Sequence, residues 1–441
     1  MAPTITISSG TFRISGGAAT IAAAPPPVLF LKTLSGGSND QGTGISEDSS
    51  GNFLLAGTTT SQGEGSTDLL AVKYDIAGDI VWQRAIGTAS GDSGTAIQGG
   101  PSDDVYVAGT NFLAAPNFNS GFVCKFNSSG TIQWQRTLAN GVAAIMQFFG
   151  CDVDSSGNLY AAGRETNPSP SAGMIIKYNS SGTIQWQRQL QGSLGAGQIN
   201  DVAVDSTGSN IYVVGYDIPS TQNAHVAKYD SSGTLIWQRS LGGAGSDEFT
   251  GCAVDSSDNV YCVGETSSEG EGADDVLIAK YDSSGTFQWQ RILGGATNNF
   301  RSSIAVDSSS NVYVSFESVA PTVLSMAKYN SSGTIQWQRT LAGATSDTPG
   351  RRGAIVHDGD GGFAVSATTS PTEVLIFKAP DDGSGTGTFG SYTYAAGAFV
   401  GATSTLTDAA GTLVGGTPTL TDAAGSAVVT NTTLTETSIA P

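Results

Sequence analysis

The chain has 441 residues, 59 of them glycine, with 13% charged residues and a formal net charge of -19 from 38 acids against 19 bases. That balance excludes a nucleic-acid binder, which needs a concentrated basic surface, and no run of about 18 apolar residues is present to cross a membrane as a helix. A hydrophobic share of 39% supplies material for a core, which excludes wholesale disorder.

Residues 1–27 stand apart from the rest of the chain. Thr4-Ile5-Thr6-Ile7, Thr11-Phe12-Arg13-Ile14 and Ala19-Thr20-Ile21 alternate as short strands, ahead of a stiff Pro25-Pro26-Pro27 spacer. With neither a basic n-region nor an unbroken apolar stretch, the segment does not read as a signal peptide.

From residue 28 the chain repeats. All six tryptophans fall in Trp-Gln-Arg, at Trp82, Trp134, Trp186, Trp237, Trp289 and Trp337, spaced by 52, 52, 51, 52 and 48 residues. Phe30-Leu31-Lys32 lies 52 residues before Trp82 as a degenerate copy. A period near 50 predicts a propeller or solenoid. Each period holds four β-type runs, as in Gly251-Cys252-Ala253-Val254 (A), Asn259-Val260-Tyr261-Cys262-Val263-Gly264 (B), Ile278-Ala279-Lys280-Tyr281 (C) and Thr286-Phe287-Gln288-Trp289-Gln290-Arg291 (D). Asp/Asn-Ser-Ser-Gly turns join them, with the acid or amide bonding the turn backbone and Gly supplying positive φ. Seven copies of A, B and C are present, but seven of D only if residues 28–34 close the last blade. The expectation is an all-β, seven-bladed β-propeller over 28–383, with an N-terminal strand completing the seventh blade and small β arms at 1–27 and 384–441.

Three runs resemble the bacterial β-propeller repeat often called the SBBP repeat. They are Asp154-Ser155-Ser156-Gly157-Asn158-Leu159-Tyr160, Lys228-Tyr229-Asp230-Ser231-Ser232-Gly233 and Gly242-Gly243-Ala244-Gly245-Ser246-Asp247. The resemblance implies a fold and little about function, since propellers host many activities.

Beyond residue 383, Leu406-Thr407-Asp408-Ala409-Ala410-Gly411 recurs 14 residues later at Leu420, with a weaker copy at Leu434-Thr435-Glu436. These read as short hairpins too small to make a core alone. They would pack with the other terminus or against neighbouring subunits.

Alternating strand direction puts the A–B and C–D turns on one face and the B–C and D–A connections on the other. The second face carries the variation, and binding belongs there. One neighbourhood on it is apolar: Phe112, Leu113, Pro116 and Phe118 in one loop, Ile145, Met146, Phe148 and Phe149 in the adjoining connection. It reads either as a docking patch or as two loops packed on each other. The fifth B–C loop is acidic, with Glu265, Glu269, Glu271, Asp274 and Asp275, while Arg301, Arg351 and Arg352 form a small basic spot. The repeated Lys and Arg read as architectural, and the six tryptophans as inter-blade packing.

Catalytic and metal templates fail. No Gly-Lys dipeptide exists for a phosphate loop, and the two histidines have no partner histidine. Asp358 and Asp360 echo a calcium loop that lacks its terminal glutamate. Gly91-Asp92-Ser93-Gly94 echoes a serine-protease segment without its histidine context. Cys252 and Cys262 face each other across one hairpin, as a disulfide or as two buried thiols.

The expectation is a non-enzymatic structural or adhesive component of a bacteriophage virion (fibre, spike or capsid decoration), with no cofactor, no nucleic acid and no membrane insertion. Residues 1–27 and 384–441 would anchor it to other virion subunits, as a homo-oligomer. The loop face would meet a host glycan or protein. A leaderless bacterial surface adhesin is the alternative, and a polysaccharide-acting enzyme with paired carboxylates ranks last.

Overall fold

The computed structural model describes residues 4–8, 11–15, 30–36, 38–63, 66–112, 119–139, 145–166, 171–191, 197–218, 221–270, 273–319, 322–343, 348–349, 354–359, 361–369, 373–389 and 392–397, together with the strand backbone of 400–403, 407–410, 414–416, 421–424, 428–431 and 435–439. Seven antiparallel four-stranded blades surround a central channel, each in the order A, B, C, D from the axis outwards. Blade 3 is representative, with strands Met146–Val153, Leu159–Glu165, Ala172–Tyr178 and Ile184–Gln191. In blade 7 the outer strand is Phe30–Ser35, paired antiparallel with Val374–Pro380, so the two ends of the chain close the ring as the repeat count required.

The repeated motif is an inter-blade clamp. Trp186 Nε1 donates to Ser231 O (3.0 Å) in the C–D turn of the next blade, and Arg188 Nε donates to Gly233 O (2.6 Å) of that turn. The same indole bond recurs from Trp82, Trp134, Trp237, Trp289 and Trp337. Gly233 sits at φ 76°, and a Cβ there would come within 2.8 Å of the Trp186 ring, so the turn glycine serves both backbone and clamp. At the seventh junction the degenerate copy keeps the function: the Phe30 ring covers Gly78, and Lys32 pairs with Asp79 at 3.1 Å. Strand-C lysines hold the A–B turns, as Lys73 holds Asp48 (2.5 Å) and Lys125 holds Asp104 (2.7 Å).

Each inner strand of blades 1–6 carries a β-bulge. The bulged side chain commonly reaches the next blade: the Thr43, Thr95 and Thr250 hydroxyls each donate to a neighbouring carbonyl at 2.9 Å, and Asn200 Nδ2 donates to Phe249 O at 2.7 Å.

The C-terminal segment differs most from expectation. Among the described residues, apart from the short hairpin Gly387–Phe389 with Tyr392–Ala396, its strands do not pair with one another. Each adds antiparallel to the outer strand of a different blade, in the order 6, 5, 4, 3, 2, 1, 7. Short Thr/Ala/Gly strands bury too little to hold each other, and the blade edges offer them unpaired backbone groups. The last strand, Thr435–Ile439, lies on Phe30–Ser35, so the closing strand is gripped on both sides by C-terminal chain. At the other end, Thr4–Ser8 and Thr11–Ser15 pair as a hairpin.

Candidate functional site

Two members of the apolar patch, Met146 and Phe148, are core and not surface. They are buried with Cys151, Leu159 and Met174. Their two loops do adjoin, since Met146 N donates to Asn119 O at 2.9 Å, and the Phe148 ring lies against Gly121. A strand start facing the preceding blade must fill that joint, and Phe148 fills it where Gly42 and Gly94 stand in blades 1 and 2. Phe112, Ile145 and Phe149 are half-buried, while Leu113, Pro116 and Phe118 lie outside the described residues.

Asp358, which in sequence only echoes a calcium loop, is held by a lysine. Asp358 is buried, its Oδ2 is 2.7 Å from Lys378 Nζ, and its Oδ1 accepts from Gly362 N at 2.7 Å. The strand-C ammonium thus occupies the place a cation would take; Asp360 is outside the described residues. Asp92 of the protease-like segment accepts from Thr88 N (2.6 Å) and Thr88 Oγ1 (3.0 Å), tying a loop to its strand. Cys252 and Cys262 are directly paired in register as free, buried thiols.

Three acids that the repeat pattern does not single out, Glu47, Asp152 and Asp201, line the channel, a cavity of ≈ 320 Å³ bounded by all seven inner strands. Asp152 accepts from Val153 N (2.8 Å) and Val204 N (2.7 Å), and Asp201 accepts from Cys252 N (3.1 Å). Burial pushes Asp152 up to about 7, with the Asp201 charge adding to the rise. Both aspartates reach across to the next inner strand, a stitching role.

On the variable face the inner halves of blades 3 to 6 form a continuous polar arc, built by register. Residues near the start of strand A face residues near the end of strand B: Gln147 opposite Arg164, Gln198 opposite Tyr216, Glu248 opposite Glu265, Phe300 opposite Glu317. Arg164 bonds Gln147 Oε1 through Nε (3.1 Å) and Nη2 (2.9 Å), and Gln198 Oε1 through Nη1 (3.1 Å), with its guanidinium 5.7 Å from the Phe149 ring centre. Gln198 donates to Asn200 Oδ1 (2.5 Å), and Asn200 reaches Glu248 Oε2 at 3.4 Å. Arg301 N donates to Glu265 Oε1 (2.5 Å) while its Nη1 pairs with Glu317 Oε2 (2.8 Å). Burial raises the Glu317 carboxyl above its ordinary range, and the Arg301 charge opposes that rise.

The arc deepens between blades 5 and 6 into a cavity of ≈ 270 Å³ lined by Glu248, Thr250, Glu265, Asp274, Phe300, Arg301 and Ser302. Arg301 has φ 56°, a conformation an L-residue adopts only when its surroundings hold it there. The Thr250 and Ser302 hydroxyls lie 3.0 Å apart. Carboxylates, an arginine and an aromatic ring around such a space suit a polyhydroxylated ligand, which needs many acceptors and donors and one flat apolar face. Glu265, Asp274 and Arg301 were legible as variable-face charges, in two separate groups. Glu248, Phe300, Glu317 and the Gln-Arg-Gln chain were not, though aligning the seven repeats column by column exposes them: the second position of strand A is Gln, Ser, Gln, Gln, Glu and Phe in blades 1 to 6.

Residues 68–265 and 171–383 match the family described as outer membrane protein assembly factor BamB. No curated protein sequence matches the chain. Among solved structures it is similar to Sqt1 from Chaetomium thermophilum, at 10% identity over 82% of this chain and 98% of that one, TM-score 0.39. A Dyadobacter fermentans protein of unknown function gives 12% identity over 80% and 99%, TM-score 0.44. The periplasmic gluconolactonase PpgL of Pseudomonas aeruginosa gives 12% over 82% and 99%, TM-score 0.42. At such identities the likeness is one of fold.

Proposed function

The chain belongs to that family of β-propeller repeat proteins, and from this premise we propose that it is a non-enzymatic binding component of a larger assembly whose variable face engages a surface glycan. The observation that carries the reading is the arc: variation among the blades concentrates on one face, and there one bonded chain from Arg164 through Gln198 and Asn200 to Glu248 meets a second, Glu265 with Arg301, around one cavity, with Phe149 and Phe300 beside them. The opposite face repeats one turn around the ring. The acids of the arc are engaged by neighbours: Glu265 by a backbone amide, Glu317 by a guanidinium, Glu248 by the Asn200 amide. That favours positioning a ligand over transferring its protons.

The first setting for such an assembly is a phage particle, with the propeller as fibre, spike or decoration. A bacterial surface is the second setting. It draws support from the family description, which names an assembly factor of the outer membrane. The test is binding to arrayed bacterial surface polysaccharides by wild type and by Arg164→Ala and Glu248→Gln/Glu265→Gln. We expect at least about tenfold weaker binding by the variants, roughly one or two lost charge-assisted hydrogen bonds. The polysaccharide should keep its length after prolonged incubation. Chain cleavage that Glu265→Gln abolishes would replace this reading with an enzymatic one.

A further inference from the structure

The belt formed by the C-terminal strands keeps one register all the way round. The residue after each strand-D Arg or Lys faces a belt residue: Thr340 faces Ala395, Ile292 Ala402, Ser240 Ala409, Gln189 Gly416, Thr137 Ala423, Ala85 Thr430 and Thr33 Thr437. Each belt number exceeds the last by seven. Seven extended residues span at most about 25 Å, and three to five residues of each seven-residue step are paired with a blade edge. The 14-residue repeat of the sequence is two such steps.

Among the described residues this backbone pairing is the same at all seven blades, and so for any two rings. The ladder is main chain to main chain, the register is common to all seven edges, and the link ahead of the belt, Ser384–Thr386, is exposed and in no strand before Gly387–Phe389. We infer that the seven outer edges are strand-acceptor sites for the belt of a second copy, and that the chain assembles by exchanging residues 387–439 between rings. Each ring then gives one belt and receives one, an exchange that costs no pairing. The many short pairings act together through the continuous chain, so a belt once seated is held by their joint effect. Exchange leaves the polar arc untouched, so this inference and the proposed glycan binding fail independently.

The test uses the full chain with Ser240→Cys and Ala409→Cys, which places two thiols at facing positions of blade 4 and its belt strand. The native thiols are buried. A specific protease site inserted after Ser384 frees the belt on demand. Oxidation should give intramolecular links in dilute protein and intermolecular links, seen as covalent dimers, after concentrated protein is briefly warmed and cooled. After cleavage, a labelled 385–441 segment should replace the bound belt at one per ring. The same segment with one Gly inserted after Ala410 breaks the seven-residue step, and its uptake should fall at least about tenfold. Intramolecular links alone at every concentration, no link at all, or equal uptake of the inserted segment would each overturn the inference.

Discussion

His225 stands in strand C of blade 4 opposite Gly215, the place that Leu70, Phe122, Met174 and Leu277 take opposite glycines in other blades. It is 2% exposed, neither ring nitrogen has a hydrogen-bond partner, and burial holds its pKa down at about 3. A folded pKa below the unfolded ~6.5 means that the unfolded chain binds the proton first, so stability is lost as pH falls below ~6.5. The two values imply a loss of about 2 kcal/mol on going from pH 7 to pH 5, and about 3 kcal/mol by pH 4. His225→Leu installs the side chain that blades 1 and 5 use at this place. At pH 7 it should stabilise by about 1–3 kcal/mol, the cost of leaving buried polar atoms unpaired, and at pH 5 by about 2 kcal/mol more. Urea unfolding followed by tryptophan fluorescence at both pH values measures this. An equal gain at the two pH values would refute the electrostatic part of the reasoning, and destabilisation at both would show that the imidazole is held by something better than packing.

Four further expectations concern the scaffold. Asp152, with its carboxyl raised to about 7 against an unfolded ~3.9, should contribute stability that is full below pH ~4 and lost as pH rises through ~7; Asp152→Asn should flatten that slope in the same urea assay. Gly233→Ala forces a Cβ to 2.8 Å from the Trp186 ring at φ 76°. It should cost more than about 1 kcal/mol and shift Trp186 fluorescence, and an unchanged midpoint would sink the clamp. Lys378→Met leaves the Asp358 carboxylate buried without its ammonium and should cost roughly 3–5 kcal/mol. Millimolar calcium should leave the wild-type melting temperature where it is; a rise would restore the metal reading.

The period, the blade count and the closing strand were legible because they rest on side chains with fixed tasks. Trp186 and Arg188 must recur wherever a turn is gripped, and Phe30 with Lys32 preserves the same grip by size and charge. The belt was legible only as a repeat. Its strands pair through backbone, so they need no distinctive side chains, and the step at Val414-Gly415-Gly416 hides the seven-residue period inside one of fourteen. The site was legible in fragments. Glu248 and Glu265 are 17 positions apart and meet only through the register set by the bulge at Thr250. Arg301 reads as part of a basic spot until its backbone and side chain are seen holding Glu265 and Glu317. Phe148 misled for the opposite reason, because an aromatic in a variable connection reads as surface, yet the glycine at 121 leaves a hollow that the ring fills.

The measurement that bears most directly on the proposed role is polysaccharide binding by Arg164→Ala and Glu248→Gln/Glu265→Gln beside a control altered on the opposite face, such as Ser232→Ala, with circular dichroism unchanged in all. The arc predicts weaker binding by at least about tenfold in the first two proteins alone, with the polysaccharide intact throughout. Equal binding by all, or an equal loss from the turn-face variant, contradicts it.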